Sequence, residues 1–271
     1  AHTGGGDWVV LEGGYHGNHD YAIVSTFPRE TGHYPQGVAD SSGQPAATTS
    51  TMLVCPYNDL EALDRIVTEH GRDIAAIIAE SVQRIIPARP DFLKGVQKIC
   101  NDNEIVFILD EVVTGFRLCY GGGQAWYDLQ PDLATYGKVV GGGGPLSCVA
   151  GRAEIIDLAD PNRKGQDKYT YLNGTLHGNP VASAATLAML DELSRPGTYE
   201  RMNRFTDELC KACQQVLDKY GIPAIAQNSG SLWQILFMDR TPENMSDMLA
   251  SDQAAMRRLD SELMKQGQYV L

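Results

Sequence analysis

The 271-residue sequence has few basic residues and no cluster of them. Lys and Arg number 22 against 34 Asp and Glu, so the formal net charge is −12. A nucleic-acid surface needs a patch of Lys and Arg to meet the phosphates, so we expect no nucleic-acid partner. No apolar run approaches the ~20 residues that cross a bilayer. The first ten residues also lack the positive start and apolar stretch of a signal peptide, so we expect no membrane partner.

The sequence also lacks a disulfide framework. Its six cysteines stand in apolar or helix-like contexts without the spacing of small secreted domains. We therefore expect a reduced, cytoplasmic protein. Cys210 and Cys213 form a C-x-x-C pair, but they lie inside an amphipathic stretch, where packing against the core is the expected role.

Strand-like and helix-like stretches alternate along the chain. This alternation predicts an α/β fold with a mostly parallel central sheet and helices on both faces. After Gly221 the pattern changes and favours a smaller C-terminal α+β unit. Both ends of the sequence are abrupt, so we expect the middle of a larger protein. The predicted strands are 7–12, 74–80 and 105–112, with one further strand on each side of the glycines at 141–144. The predicted helices are 59–71, 90–103, 179–195 and 198–221.

Two residues suggest carbonyl chemistry. Asp110 ends the apolar stretch IVFIL, at the edge where open α/β sheets bind ligands. Lys138 follows after a second strand-like stretch and precedes four glycines. A lysine whose pKa is lowered can act as a nucleophile towards a carbonyl carbon, and an aspartate can keep a cofactor's pyridine nitrogen protonated. Spacing alone leaves a helix cap or a surface salt bridge open for Asp110.

Five sequence blocks carry a family resemblance. LEGGYHGNHD, AAIIAESV, ILDEVVTGFR, PDLATYGKVVGGGGPLSCVAGRAEI and NGTLHGNPVASAA occur in this order. They resemble the signature blocks of class III aminotransferases that depend on pyridoxal 5′-phosphate (PLP), most nearly the glutamate-1-semialdehyde aminomutase branch. The resemblance implies the fold-type-I PLP-dependent transferase fold. It makes 1–195 the large PLP-binding domain and 196–271 the start of the small domain, each incomplete.

The resemblance also implies roles for individual residues. Lys138 would form the Schiff base with PLP and move the proton, and Asp110 would pair with the pyridinium. Thr175 would reach the phosphate of the neighbouring subunit's cofactor, which implies a homodimer. The remaining cofactor-binding residues would be Tyr15 stacked on the ring, His16 beside it, Val112 on the opposite face, Glu80, and Gln83 near the phenolic oxygen.

The sequence departs from the family pattern at three places. Ser81 replaces the usual proline after Glu80, and the segment that follows, up to Pro87, is short. The irregular segment 25–44 does not match the aminomutase, and we expect it to determine substrate selectivity. The family's Gly-Ser/Thr-Glu-Ala phosphate cradle would precede residue 1.

Several alternative interpretations accompany this one. The glycines at 141–144 lack the order of a phosphate-binding loop and are expected to form a flexible turn. A metal site would need His16, His19, Asp20 and His33, whose spacing finds no downstream partner. Arg29 is a candidate for binding a substrate carboxylate, although it also fits an exposed loop arginine.

The expected function is transfer of an amino group from an amine or amino-acid donor to a keto or aldehyde acceptor. One alternative is a 1,2-aminomutase, which would isomerise a single amino aldehyde without an added keto acid. Another is a non-catalytic relative or fragment that keeps the fold as a binding or assembly module. The presence of Lys138 and Asp110 favours an enzyme over this module.

Overall fold

A computed structural model describes residues 2–269. Ala1, Val270 and Leu271 fall within the predicted domains 1–195 and 196–271 but lie outside the described residues. The boundary at 195/196 between those domains stays a prediction. Within the described residues, no helix combines the length and apolar character needed to cross a membrane.

A six-stranded mixed sheet dominates the described chain. The strands are β1 (Asp7–Leu11), β2 (Met52–Cys55), β3 (Ile74–Glu80), β4 (Val82–Gln83), β5 (Ile86–Pro87), β6 (Val106–Asp110), β7 (Leu133–Tyr136), β8 (Cys148–Gly151), β9 (Ile225–Ser229) and β10 (Leu232–Leu236). The order in the sheet is β2-β1-β3-β6-β7-β8, and all neighbours run parallel except β8, which is antiparallel to β7. The predicted mostly parallel α/β sheet is confirmed.

The helices begin at residues suited to that position. Asp59 caps the second helix by accepting a bond from the Ala62 N–H at 2.9 Å, and Asn179 precedes a proline at the start of the sixth. The helices are α1 (Ala46–Thr49), α2 (Leu60–His70), α3 (Phe92–Asp102), α4 (Gly122–Tyr127), α5 (Ala153–Ile156), α6 (Pro180–Leu193), α7 (Thr198–Lys219), α8 (Met245–Ala250) and α9 (Gln253–Lys265).

The two faces of the sheet are covered differently. Alternate strand residues such as Val9, Ile77 and Phe107 pack with α2 and α3 in the larger hydrophobic cluster. The opposite face holds Val10, Ile78 and Ile108, and its cover includes Val24, Tyr34 and Ile155. The long segment after β1 therefore takes part in covering a sheet face where the sequence pattern predicts only helices.

The segment between β1 and β2, which includes the irregular 25–44, has little regular structure but is anchored. It contains the single-turn α1, and Gln36 forms an isolated antiparallel bridge with Leu53 of β2. The Asp40 carboxylate accepts bonds from the N–H groups of Thr26 and Phe27 at 2.6 and 3.0 Å. The Tyr34 hydroxyl donates to the buried Glu12 carboxylate. These contacts hold the segment against the end of β1.

The C-terminal elements contact the loops at the sheet edge. β9 and β10 form an antiparallel pair that packs on α7. Gln227 donates to the Ile85 carbonyl at 2.7 Å, and Tyr199 donates to the Phe116 carbonyl at 3.0 Å. The hydroxyl of Ser231 donates to the Arg117 carbonyl at 3.0 Å. The small C-terminal elements thus rest against loops that leave β3 and β6.

Candidate active site

The candidate site lies where neighbouring parallel strands end. Glu80, the last residue of β3, is paired in register with Asp110, the last residue of β6. Asp110 is in turn paired with Thr135 of β7, three residues before Lys138. The carboxyl ends of parallel strands meet at one edge of a sheet. The fold therefore places the two carboxylates and the start of the lysine turn on consecutive strands.

Asp110 is held in its ionised form. His16 Nδ1 lies 2.7 Å from Asp110 Oδ2, while Val112 N–H and Thr135 Oγ1 each donate to Oδ1 at 3.0 Å. Burial raises the pKa of Asp110, but the hydrogen bond and charge of His16 and the two other donors outweigh it, so the net pKa is lowered. An ionised, buried carboxylate is suited to accept a cationic N–H.

Glu80 is perturbed in the opposite direction. Its Oε2 accepts the Tyr15 N–H at 3.3 Å, and its backbone carbonyl accepts the Tyr57 hydroxyl at 3.0 Å. Burial raises the pKa of Glu80 to about 7, and the Asp110 charge adds to the rise against the lowering effect of His16. Of the two neighbouring strand-end carboxylates, Asp110 is therefore ionised near neutral pH, and Glu80 is close to half protonated.

Lys138 begins a 3-10 turn, Lys138–Gly141, directly after β7. Its φ is +49°, a left-handed conformation that is uncommon for a residue with a side chain. A Cβ added at the preceding Gly137 would lie 3.3 Å from Val112 Cγ1, so Val112 packs against the backbone beside the lysine. Strained backbone of this kind is concentrated at functional sites.

The side chain of Lys138 borders an open cavity of about 400 Å³. Most of its lining is apolar and includes Phe116, Val139, Met189 and Leu193. Within the described residues Lys138 forms no hydrogen bond or ion pair. The amine is thus not held by a competing carboxylate, which is one requirement of a lysine that reacts with a carbonyl group.

The glycine run lets α6 approach this turn closely. A Cβ at Gly142 would lie 2.6 Å from the Ala185 carbonyl oxygen, and one at Gly144 would lie 3.2 Å from Ala182 Cβ. Gly142 also has φ +56°. The glycines form a tight turn against the helix. Neither they nor the residues after them supply the strand–glycine–Lys–Ser/Thr order of a phosphate-binding loop.

Tyr15 and His16 lie together beside Asp110. Tyr15 is 38% exposed, and its hydroxyl donates to Asn18 Oδ1 at 2.8 Å. His16 Nε2 is buried without a hydrogen-bond partner among the described residues. A buried polar atom without a partner is unusual and marks a place where a ligand, water or ion would be accommodated.

Gln83 is fully buried behind the glycines that follow β1. Its Nε2 donates to the Glu12 carbonyl at 2.7 Å, and its Oε1 has no partner among residues 2–269. A Cβ at Gly14 would lie 2.9 Å from His16 Nε2 and 3.5 Å from Gln83 Oε1. The two partnerless atoms therefore flank the same glycine, and the amide nitrogen of Gln83 is already occupied.

Two predicted residues lie away from this cluster. Thr175 is exposed in the turn before α6. Arg29 is exposed in the segment after β1 and has no ion pair or hydrogen bond to the described residues. A role for either requires a group that approaches from outside the described chain.

The candidate metal set does not assemble in the described residues. His16 Nδ1 is engaged by Asp110, and the His19 ring packs 6.3 Å from Tyr21. His33 is half-exposed beside Glu30. No group of three or more His, Cys, Asp or Glu side chains in residues 2–269 has the arrangement to hold a metal ion.

Glu111, which no sequence motif singled out, organises the loop after β6. Its fully buried carboxylate accepts bonds from Thr114 Oγ1 at 2.6 Å, Gly123 N–H at 2.8 Å and Gln124 N–H at 2.9 Å. Gln124 also donates to the Tyr136 hydroxyl at 2.5 Å. The network joins the Asp110 loop to the residue two before Lys138. The signal available in the sequence was an acid directly after a buried strand, followed ten to twelve residues later by three glycines.

The comparison with protein families assigns the chain. Residues 2–261 match the model of the family "Aminotransferase class-III". The chain belongs to this family, as the sequence resemblance predicts. PLP is the cofactor of class III aminotransferases, and among the similar solved structures is a transaminase with PLP bound.

Solved structures with the same fold span more residues than this chain. An omega-transaminase from Sphaerobacter thermophilus has 31% identity and a TM-score of 0.89, over 99% of this chain and 62% of its own. A β-phenylalanine aminotransferase from Variovorax paradoxus has 27% identity and a TM-score of 0.78, over 99% and 58%. A glutamate-1-semialdehyde aminomutase from Pseudomonas aeruginosa PAO1 has 24% identity and a TM-score of 0.84, over 99% and 60%, and this identity supports the fold alone.

The residues present fit PLP at the strand ends. The lowered pKa of Asp110 supplies the anion that a pyridinium needs. Val112 and Tyr15 offer an apolar and an aromatic surface, and the partnerless His16 Nε2 marks a polar position beside them. Lys138 supplies an amine without a competing partner.

Proposed function

We propose that this chain forms the catalytic part of a PLP-dependent transaminase that transfers an amino group from an amine or amino-acid donor to a keto or aldehyde acceptor. The observation that carries the proposal is the register of β3, β6 and β7, which places Asp110 between Glu80 and the Lys138 turn. When bound, PLP supplies a pyridinium ring that withdraws electrons from the carbon that bears the transferred group.

Each residue of the chain has a separate task in this proposal. Asp110 holds the proton on the pyridine nitrogen, and His16 and Thr135 keep its carboxylate oriented and ionised. Lys138 would hold the cofactor covalently through Nζ, and the same nitrogen would carry the proton that leaves the substrate carbon. Tyr15 and Val112 flank the ring, and Glu80 and Gln83 complete the polar surroundings.

The proposal includes a homodimer. Thr175, which is exposed in the turn before α6, would reach the phosphate of the neighbouring subunit's cofactor. On α6 itself Val181 and Leu187 are 78% and 65% exposed. Exposed aliphatic side chains on one helix favour a further protein surface against it.

The proposed location is the cytoplasm. The six cysteines are all free in the structure, which supports a cytoplasmic location.

The half-reaction with an amine donor tests the proposal. We expect the PLP-loaded protein, mixed with a donor and no acceptor, to release one carbonyl product per site. The Lys138→Ala variant should lose this activity by at least about 10³-fold, because it removes both the covalent anchor and the proton carrier. Lys164→Ala, which removes an exposed lysine outside the site, is the matched control.

Two outcomes would support the alternatives. A single amino aldehyde that isomerises with no added keto acid would indicate the 1,2-aminomutase. A folded, PLP-free protein that neither takes up the cofactor nor releases a carbonyl product would indicate the non-catalytic module.

A further inference from the structure

The turn between β4 and β5 contains an arginine in a strained conformation. Arg84 has φ +52° and Ile85 has φ +64°, the pair of left-handed residues that a two-residue hairpin turn requires. Asn and Gly favour such positions, whereas a β-branched residue there is a marked outlier. The Ile85 carbonyl is held by Gln227 at 2.7 Å. Strained backbone is concentrated at functional sites, so the side chain that this turn presents is a candidate for a function.

The Arg84 side chain reaches across the end of β1. Its Nε donates to the Gly13 carbonyl at 3.0 Å, and its Nη2 donates to the Thr26 carbonyl at 3.1 Å. The guanidinium carbon lies 4.4 Å from the centre of the Phe27 ring. These contacts fix the plane of the guanidinium beside two backbone segments and one aromatic face.

The charge of Arg84 is not neutralised by contact. Within residues 2–269 no carboxylate forms an ion pair with it, and Glu80 and Asp40 act on it only from a greater distance. Its Nη1 donates to no acceptor among the described residues and is not fully buried. A half-buried cation with free donors is a ready anion site, because guanidinium groups bind carboxylates through paired N–H groups.

The position of Arg84 relates it to the candidate active site. The Phe27 ring beneath the guanidinium lies 6.4 Å from the Tyr15 ring, centre to centre. Tyr15 also donates its N–H to Glu80, the strand-end neighbour of Asp110. Arg84 is therefore connected through Phe27 to the tyrosine beside Asp110, and through Thr26 to the segment that follows β1.

We propose that Arg84 binds the carboxylate of an acidic substrate at the mouth of the active site, so that amino acids are preferred over amines of the same carbon skeleton. This inference rests on the proposed transaminase function and names its substrate class. It assigns to Arg84 the task that the sequence suggested for Arg29, whose exposed side chain forms no hydrogen bond or ion pair with the described residues.

The test compares donors that differ only by a carboxylate. The pairs are alanine with isopropylamine and 4-aminobutyrate with n-butylamine, measured as kcat/KM on the PLP-loaded protein. For each pair we take the ratio of kcat/KM for the donor with the carboxylate to kcat/KM for the donor without it. We expect Arg84→Gln to lower this ratio by about 10- to 100-fold, because a charge-assisted pair is lost. Arg84→Lys should keep part of the ratio. Arg89→Gln, a half-exposed arginine that also donates to a backbone carbonyl, should leave it unchanged.

A binding measurement gives a readout that does not depend on turnover. Calorimetric titration with butyrate should show a dissociation constant that rises about 10- to 100-fold in Arg84→Gln and is unchanged in Arg89→Gln. An unchanged ratio and an unchanged butyrate constant in Arg84→Gln would overturn the inference. An equal loss of kcat/KM for donors with and without a carboxylate would also overturn it, because the variant would then only loosen the segment after β1.

The failure of this inference is distinguishable from that of the proposed function. A wild-type protein that carries PLP on Lys138 and uses only the donors without a carboxylate would remain a transaminase, and Arg84 would not be its carboxylate site. A wild-type protein that forms no covalent link with PLP at all would contradict the proposed function itself.

Discussion

At the scale of single residues, the site depends on two carboxylates that respond differently to the same edge of the sheet. Asp110 has three donors around its oxygens, and its pKa is lowered despite burial. Glu80 accepts one long bond from Tyr15 and has a pKa raised to about 7. Hydrogen bonds to the charged form, rather than depth alone, decide which carboxylate keeps its proton.

The raised pKa of Glu80 predicts a pH-dependent stability. The folded pKa of about 7 exceeds the ordinary 4.5, so the folded protein resists ionisation more than the unfolded chain does. The stabilisation that protonated Glu80 contributes is fully present below pH 4.5, the ordinary pKa. It is lost as the pH rises through the folded pKa of about 7. Glu80→Gln should remove this loss, which we expect to be about 1–3 kcal/mol.

Urea unfolding of both proteins at intervals from pH 4.5 to 8 measures the difference. The other carboxylates titrate alike in both proteins and cancel. Two stability curves that stay parallel across this range would show that Glu80 titrates normally in the folded protein.

The buried Glu111 carboxylate predicts a large effect on stability. Its removal leaves the N–H groups of Gly123 and Gln124 and the Thr114 hydroxyl without an acceptor inside the protein. We expect Glu111→Ala to lower the free energy of unfolding by about 2–4 kcal/mol. Glu69→Ala, at an exposed position on α2, should change it by less than about 0.5 kcal/mol. Similar unfolding midpoints for the two variants would contradict the role of this network.

At the scale of elements, residue patterns predicted the longer strands and helices, but not the edge strand Met52–Cys55. The strand Ile74–Glu80 has the predicted bounds, and the helix predicted over 59–71 forms over Leu60–His70. The strand predicted over 105–112 stops at Asp110, because Glu111 turns inward to bind the start of α4. The apolar pattern alone gives no sign of that turn.

Other element-scale features depend on backbone conformations and contacts that residue patterns do not predict. β8 runs antiparallel to β7 because the turn at Gly142 and Gly143 sends the chain back along its neighbour. The Arg84 turn and the Tyr34–Glu12 contact likewise join residues that no spacing rule relates. The sequence indicates Asp110 and Lys138 through recognisable blocks, while Arg84 and Glu111 stand out only when their partners are seen.

The close contact between α6 and the lysine turn predicts that Gly142 is intolerant of a side chain. Ala at this position combines a left-handed φ of +56° with a Cβ 2.6 Å from the Ala185 carbonyl oxygen. We expect Gly142→Ala to lower the free energy of unfolding by about 2–4 kcal/mol. At Gly6 nothing lies within 4 Å of an added Cβ, so Gly6→Ala should be neutral or slightly stabilising.

Denaturant titration of the two variants, with circular dichroism to confirm the fold, makes the comparison. A Gly142→Ala protein as stable as Gly6→Ala would mean that α6 does not pack on the turn as described.

At the scale of the whole molecule, exposed apolar residues concentrate around α6 and the chain before it. Tyr171, Leu172 and Leu176 are 72%, 61% and 55% exposed, and they lead directly to Val181 and Leu187 on α6. Thr175 lies within the same stretch. A surface of this kind supports the proposed homodimer, in which each subunit would complete the other's cofactor site.

The dimer proposal predicts separate effects for assembly and cofactor binding. Sedimentation velocity should give the mass of two chains for the wild type and for Thr175→Ala. The variant should bind PLP about 3- to 10-fold more weakly, since it loses one hydrogen bond to an anionic group but keeps the apolar surface. A wild type that sediments as a monomer would contradict the homodimer. A dimeric Thr175→Ala that binds PLP as tightly as the wild type would remove Thr175 from the cofactor site.

The central claim is that Lys138 is the residue that holds PLP. Borohydride reduction of the PLP-loaded protein, followed by peptide mass spectrometry, tests it directly because the reduced link survives digestion. We predict a single pyridoxyl adduct, on the peptide that contains Lys138. A folded protein that shows no adduct, or one confined to other lysines, would contradict the account.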